Sequence, residues 1–216
     1  MTIFLHRRDV LLSLAAVSGA ALLAGCSSDE PAAKAPTADA AKLMEAGPLP
    51  EMSIGNADAP VTIVEYASMT CPHCAAFHAT TLPQLKEKYI DTGKARLIMR
   101  EFPFDPRAEA GFMLARCSDD RYFAMVDVLF KQQNNWARAE DASAALLQIA
   151  RLAGFSQEKF EACLTNQKLL DDIRAVREAG EKNFGVDSTP TFFINGEKHA
   201  GALSLEEMSA IIDRML

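Results

Sequence analysis

Two cysteines two residues apart, Cys71 and Cys74 with Pro72 and His73 between them, carry the chemistry this sequence can do most directly. A cysteine attacks only as the thiolate, and an ordinary thiol near pKa 8.5 is mostly protonated at neutral pH. Pro72 suits the first position of a helix, where its missing N–H costs nothing. Cys71 is therefore expected at the helix start, with the unpaired N–H groups of the first turn and the helix dipole favouring negative charge on its sulfur. His73 can add a positive charge or a donated hydrogen bond. Cys74 lies one turn in, shielded by the helix body. The expected division of labour follows: Cys71 takes part in a mixed disulfide and Cys74 resolves it. A zinc site would need two more ligands, and His73 and His78, the nearest candidates, complete no ligand pattern, so no metal is expected.

The elements that would position this pair can be read on either side of it. Residues 61–66, Val-Thr-Ile-Val-Glu-Tyr, are short and β-branched, the signature of a strand. A turn at 68–71 leads into a helix with apolar residues Ala75, Ala76, Phe77, Leu82 and Leu85, in which Pro83 predicts a kink. Residues 95–102 read as a second strand, parallel to the first across a right-handed crossover. From 107 to about 184 the pattern is helical, with turns expected near Asn134-Asn135, Gly154 and Asn166, and Ser156 as a cap. Residues 190–194 form a strand, Asn195-Gly196 a tight hairpin turn and 198–201 its partner strand. Ser204 and Glu207 make a capping box for a last helix that buries Met208, Ile211, Ile212 and Met215. The order is β-α-β, a long helical segment, then β-β-α.

With 216 residues, 49% hydrophobic and 24% charged, the chain can bury one sizeable core. Its formal charge of -7 disfavours nucleic acid as a partner. The N-terminus departs from the rest: His6, Arg7 and Arg8 precede an apolar run from Val10 to Leu23. That run is shorter than the roughly 20 residues of a membrane-spanning helix and reads as an export signal over residues 1–25. Leu23-Ala24-Gly25-Cys26 resembles a bacterial lipobox, which implies cleavage before a lipid-modified Cys26; ordinary secretion, leaving Cys26 as an odd thiol, is the alternative. Arg7-Arg8 leaves a twin-arginine route open beside the general one. Residues 26–50, rich in Ala, Pro, Ser, Asp and Glu, read as a flexible tether, and 51–216 as the folded domain with its helical insertion at about 105–184. Setting Cys26 aside leaves Cys71, Cys74, Cys117 and Cys163, of which Cys71 and Cys74 form the local pair. Cys117 would then pair with Cys163, closing a loop of about 47 residues worth roughly 4 kcal/mol in the chain-entropy model; otherwise both are small buried hydrophobes.

The strand followed by Cys71-Pro72-His73-Cys74, together with Thr189-Pro190 before a later strand, resembles the DsbA-like branch of the thioredoxin superfamily, the periplasmic disulfide-forming oxidoreductases. The resemblance spans roughly 52–216 and implies an α/β thioredoxin-like fold with a helical insertion between its two halves. It further implies a cis Pro190 beside Cys71, holding the Thr189 backbone outward for an extended substrate segment. Glu65 lies on the strand face of Ile63 and Ala67. Its position is similar to that of the family's buried acid, which would have a raised pKa suited to exchanging a proton with the resolving cysteine. The sequence departs from the family prototype at Ser68-Met69-Thr70, where aromatic residues precede the first cysteine.

The activity so implied is oxidation of cysteine-containing protein substrates in the bacterial envelope, on the periplasmic side, with no soluble cofactor. A quinone-linked membrane protein would serve as reoxidant, and the lipid at Cys26 as the only membrane attachment. Periplasmic isomerases join a similar catalytic domain to a dimerisation domain; a short tether in that place points to a monomeric oxidase. A reductase or isomerase is the rival within the enzyme class. A lipid-anchored metal-binding or chaperone-like module is the rival outside it.

Overall fold

The computed structural model describes residues 38–45 and 47–216. The export signal, Arg7-Arg8, and the lipobox with Cys26 lie outside the described residues.

The first half of the core is built on two central strands, β2 (Val61–Ala67) and β3 (Ala95–Glu101). They are parallel, with Val61 opposite Ala95 and Ala67 opposite Glu101, as the β-α-β order requires. A short strand, β1 (Met52–Ile54), runs antiparallel along the free edge of β3. The sequence pattern does not announce it, because three residues are too few to establish an alternation. On the other side β4 (Thr191–Ile194) pairs antiparallel with β2, and β5 (Glu197–Ala200) closes the sheet through the Asn195-Gly196 turn. The sheet order is β1-β3-β2-β4-β5.

Between β2 and β3 the chain is helical but not uniformly α-helical. After α2 (Pro72–Ala76) comes a π-helical turn (Phe77–Thr81), then α3 (Leu82–Leu85) and a second π turn (Lys86–Ile90). Pro83 has no N–H and cannot accept a regular α-helical turn before it. The wider turn absorbs that conflict: the Leu82 N–H bonds back to the carbonyl of Phe77, five residues earlier. The expected kink at Pro83 thus takes the form of a π turn.

The helical insertion comprises α4 (Pro106–Arg116), α5 (Tyr122–Lys131), α6 (Gln133–Trp136), α7 (Ala142–Leu152), α8 (Gln157–Leu164) and α9 (Gln167–Phe184). Asn134 and Asn135, expected in a turn, instead lie within α6. The indole of Trp136 is buried there and donates to the Leu129 carbonyl at 2.8 Å, so its burial overrides the turn preference of the two asparagines. Cys117 and Cys163 are joined by a disulfide linking the end of α4 to α8. Gly180 in α9 admits the ring of Tyr66 from β2: a Cβ at this position would stand 2.6 Å from the ring. The final helix α10 (Leu205–Asp213) begins with the reciprocal Ser204–Glu207 capping box.

Residues 40–43 fold as a short helix, α1 (Ala40–Leu43), within the stretch read as tether. Asp39 caps it, and Leu43 is buried with Val64, Tyr66 and Phe193 on one face of the sheet. On the opposite face Ile63, Leu97 and Phe192 pack against Phe77, Met208 and Ile212, while Ala67 and Met99 join the large core of the insertion. Both faces of β2 are therefore covered. Among the described residues no helix is long and apolar enough to cross a membrane.

Candidate active site

The carboxyl end of β2 delivers the chain to the reactive pair. A turn closed by the Cys71 N–H on the Ser68 carbonyl at 3.1 Å presents Cys71 as the N-cap of α2, with Pro72 next. No side chain caps this helix start, so its N–H groups are free to face the sulfur. The Cys71 thiol is half-buried and donates to the Thr189 carbonyl at 3.2 Å. The Thr189-Pro190 peptide bond is cis. Thr189 Oγ1 is buried without a hydrogen-bond partner among the described residues.

Cys71 and Cys74 are free thiols and are driven apart in acidity. The Cys71 thiol is lowered from its ordinary value of 9.0 to about 5. The hydrogen bond from the Cys74 thiol is the largest cause; burial opposes it, and Thr189 and the backbone N–H groups of Cys74 and His73 add to it. Cys74 is raised well above 9.0, first by burial, then by its bond to Cys71, then by the charge of Glu65. This is the unequal pair expected of an attacking and a resolving cysteine. The contribution of His73 is made by its backbone N–H; its imidazole is exposed and makes no hydrogen bond among the described residues.

Glu65 is fully buried on β2. Its partner is a residue that sequence reasoning weighed only as a zinc ligand: Nε2 of His78 lies 3.1 Å and 3.0 Å from its two carboxylate oxygens. Among the described residues no group of three or more His, Cys, Asp or Glu could hold a metal ion.

Two further residues shape the site without a signal in the sequence. Gln133, from α6, is buried and donates from Nε2 to the carbonyls of Met69 and Cys71, each at 2.9 Å. Asp105 caps α4 through one oxygen and accepts from Thr70 Oγ1 at 2.5 Å through the other. The active-site turn is thereby tied to the insertion at three points. Gln133→Ala is expected to lower stability by about 1–3 kcal/mol, because the buried carbonyl of Met69 loses its donor. A shift in the midpoint of urea unfolding, present in both redox forms, checks it.

Comparison with known proteins agrees with this geometry. The family model described as thioredoxin matches residues 49–214. A Rickettsia bellii protein, provisionally named a protein-disulfide oxidoreductase, is 35% identical over 168 residues, covering 77% of this chain and 64% of its own. The match therefore spans just under two thirds of that relative. A Bacillus anthracis protein, provisionally named disulfide bond formation protein D, is 30% identical over 153 residues, covering 68% of this chain and 70% of its own. Among solved structures, alpha-DsbA1 of Wolbachia pipientis superposes with a TM-score of 0.72 at 34% identity, covering 78% of this chain and 92% of that one.

Proposed function

The chain belongs to the DsbA-like branch of the thioredoxin superfamily, and from that premise we propose that it is an exported thiol-disulfide oxidoreductase that introduces disulfides into cysteine-containing proteins. The observation that carries the direction of the reaction is the Cys71 thiol held at about 5. A pair whose reduced form is stabilised as a thiolate gives up that form reluctantly, so its disulfide is the stronger oxidant.

The steps balance as two exchanges. A substrate thiolate attacks Cys71 Sγ in the Cys71–Cys74 disulfide, and Cys74 leaves and takes a proton, as its raised pKa requires. The second substrate thiolate then attacks the substrate sulfur of the mixed disulfide, and Cys71 departs as a thiolate. Two electrons pass from substrate to protein, and a thiol of low pKa is the better leaving group for that last step. Glu65 serves as the proton partner of Cys74, and Thr189 beside the cis Pro190 offers its backbone to an extended substrate. Catalytic turnover needs an electron acceptor for the reduced pair, and a quinone-linked membrane protein fits that need. The apolar run at residues 10–23 and Cys26 support export and lipid anchoring on the periplasmic side of the envelope, with a monomer as the working unit.

The experiment is equilibration of Cys71 and Cys74 against glutathione. A potential well above that of thioredoxin is expected, and a value near it, about -270 mV, would overturn the oxidase reading in favour of a reductase.

A further inference from the structure

The mechanism leaves unexplained how a carboxyl as deeply buried as Glu65 can act as a base. Burial favours the neutral acid, and a neutral acid takes no proton. Among the described residues the only hydrogen bonds to its carboxylate come from Nε2 of His78, at 3.0 Å and 3.1 Å. His78 is itself buried, with its ring on Phe130 at 4.5 Å between centroids and edge-on to Phe77 at 5.6 Å. Its spacing from Cys74 is four residues along one helical run, so both side chains come off the same face toward β2. The turn that carries it is the π turn Phe77–Thr81, an irregularity that costs regular hydrogen bonding and often marks a working position.

We propose that His78 is a positioning residue: it holds Glu65 ionised and fixed beneath the pair so that the carboxylate can take the proton of Cys74 when that thiol resolves a mixed disulfide. The inference rests on reading Cys71 and Cys74 as an exchange centre. In the step, the Cys74 S–H bond breaks and its proton passes to Glu65. The Cys74 thiolate forms a bond to Cys71 Sγ, and the bond from Cys71 to the partner sulfur breaks. The partner leaves as a thiolate and is protonated by solvent; the cysteine pair is oxidised and the partner reduced. In the opposite direction Glu65 returns the proton. The Glu65 charge does reach Cys74, contributing to its raised pKa after burial and the Cys71 bond. The other titratable groups facing the pair are Tyr122 of α5, raised by burial foremost and by the Glu101 and Glu65 charges in part while the Arg116 charge opposes them, and Glu101 of β3, which accepts from Tyr122 at 3.1 Å and from Arg116 at 2.6 Å. Those two are tied to one another and to Arg116, leaving His78 as the partner that can hold Glu65.

The test uses the full chain. Reduced protein is treated with oxidised glutathione to form a mixed disulfide on Cys71, and release of glutathione by Cys74 is followed by acid quench and mass spectrometry between pH 5 and 8. Wild type should release at a rate nearly flat with pH, since an internal base takes the proton. His78→Phe should be at least about tenfold slower at pH 6 and climb about tenfold per pH unit, the slope of a thiol that must lose its proton to solvent. Glu65→Gln should match it, and the double variant should be no slower than Glu65→Gln alone. His78→Gln, which keeps an N–H donor, should restore the flat profile. A folded His78→Phe with the wild-type profile overturns the proposal, as does a His78→Gln as impaired as His78→Phe. Should His78→Phe fail to fold, a flat profile in Glu65→Gln overturns it, and a steep one there beside a flat His78→Gln supports it. No mixed disulfide on wild-type Cys71 would instead overturn the exchange centre, and this inference with it.

Discussion

Cys71→Ser is expected to lower the rate of dithiol oxidation at least about a thousandfold, because the substrate thiolate then has no disulfide to attack and serine offers no comparable sulfur chemistry. Cys74→Ser should behave differently. It leaves Cys71 able to attack the disulfide of an oxidised cysteine peptide, one half of which leaves as a thiolate, but removes the group that resolves the product, so the mixed disulfide on Cys71 should accumulate and be visible by mass spectrometry without reductant. The two variants together test the unequal roles that the structure supports, with Cys71 half-exposed beside Thr189 and Cys74 buried behind it. Equal adduct formation by both would sink that assignment. Cys74→Ala should also raise the Cys71 pKa, since the Cys74 thiol is the largest cause of its lowering.

The second large effect is in pH. Reduced protein is expected to show a thiolate ultraviolet absorbance that titrates with a midpoint at about 5, absent in Cys71→Ser. The sign for stability follows from proton counting. Between about pH 5 and the ordinary thiol range, the unfolded chain carries Cys71 as a thiol and the folded reduced chain carries it as a thiolate. The unfolded state binds more protons there, so the stability of the reduced form rises with pH across that window and is lost as pH falls through about 5. Cys74, raised in the fold, acts in the opposite sense only above the ordinary thiol range. Cys71 does not titrate in the oxidised form. The Tm of reduced protein minus that of oxidised protein should therefore rise from pH 5 to 8, and a difference constant with pH would contradict the lowered Cys71 pKa. Over the same window the reduction potential should change by about 30 mV per pH unit, and by about twice that below pH 5, because one more proton is then taken up on reduction.

What could be read from the sequence was local or covalent in kind. The β-branched run ending at Tyr66, the Asn195-Gly196 hairpin turn and the Ser204–Glu207 capping box each depend on a few neighbouring residues, and each stands in the fold where expected. Cys71 and Cys74 were legible for the same reason. The fold class followed from element order and from the motifs that resemble a known family. The residues that were missed act across distance. His78 meets Glu65 from the crossover helix, four residues after Cys74, and nothing in that spacing says which strand residue its ring will face. Gln133 reaches the active-site turn from a helix more than sixty residues away, and glutamine is too common a residue to signal such a task. Asn134 and Asn135 misled because turn propensity is weak beside the burial of one tryptophan. β1 was too short to show a period.

The amide of Gln133 has a bearing on how portable this site is. It supplies two donors to carbonyls on either side of Thr70, and both come from the inserted helices, not from the sheet and its crossover helix. Transplanting Cys71-Pro72-His73-Cys74 onto a minimal scaffold that lacks α6 would carry over the sulfur chemistry but leave the first of those carbonyls without its donor and the second with only the Ala75 N–H, and the graft would have to hold its own turn in place. The four-residue motif is in this sense an incomplete module, whose remaining part is one side chain that lies far along the chain and close in space.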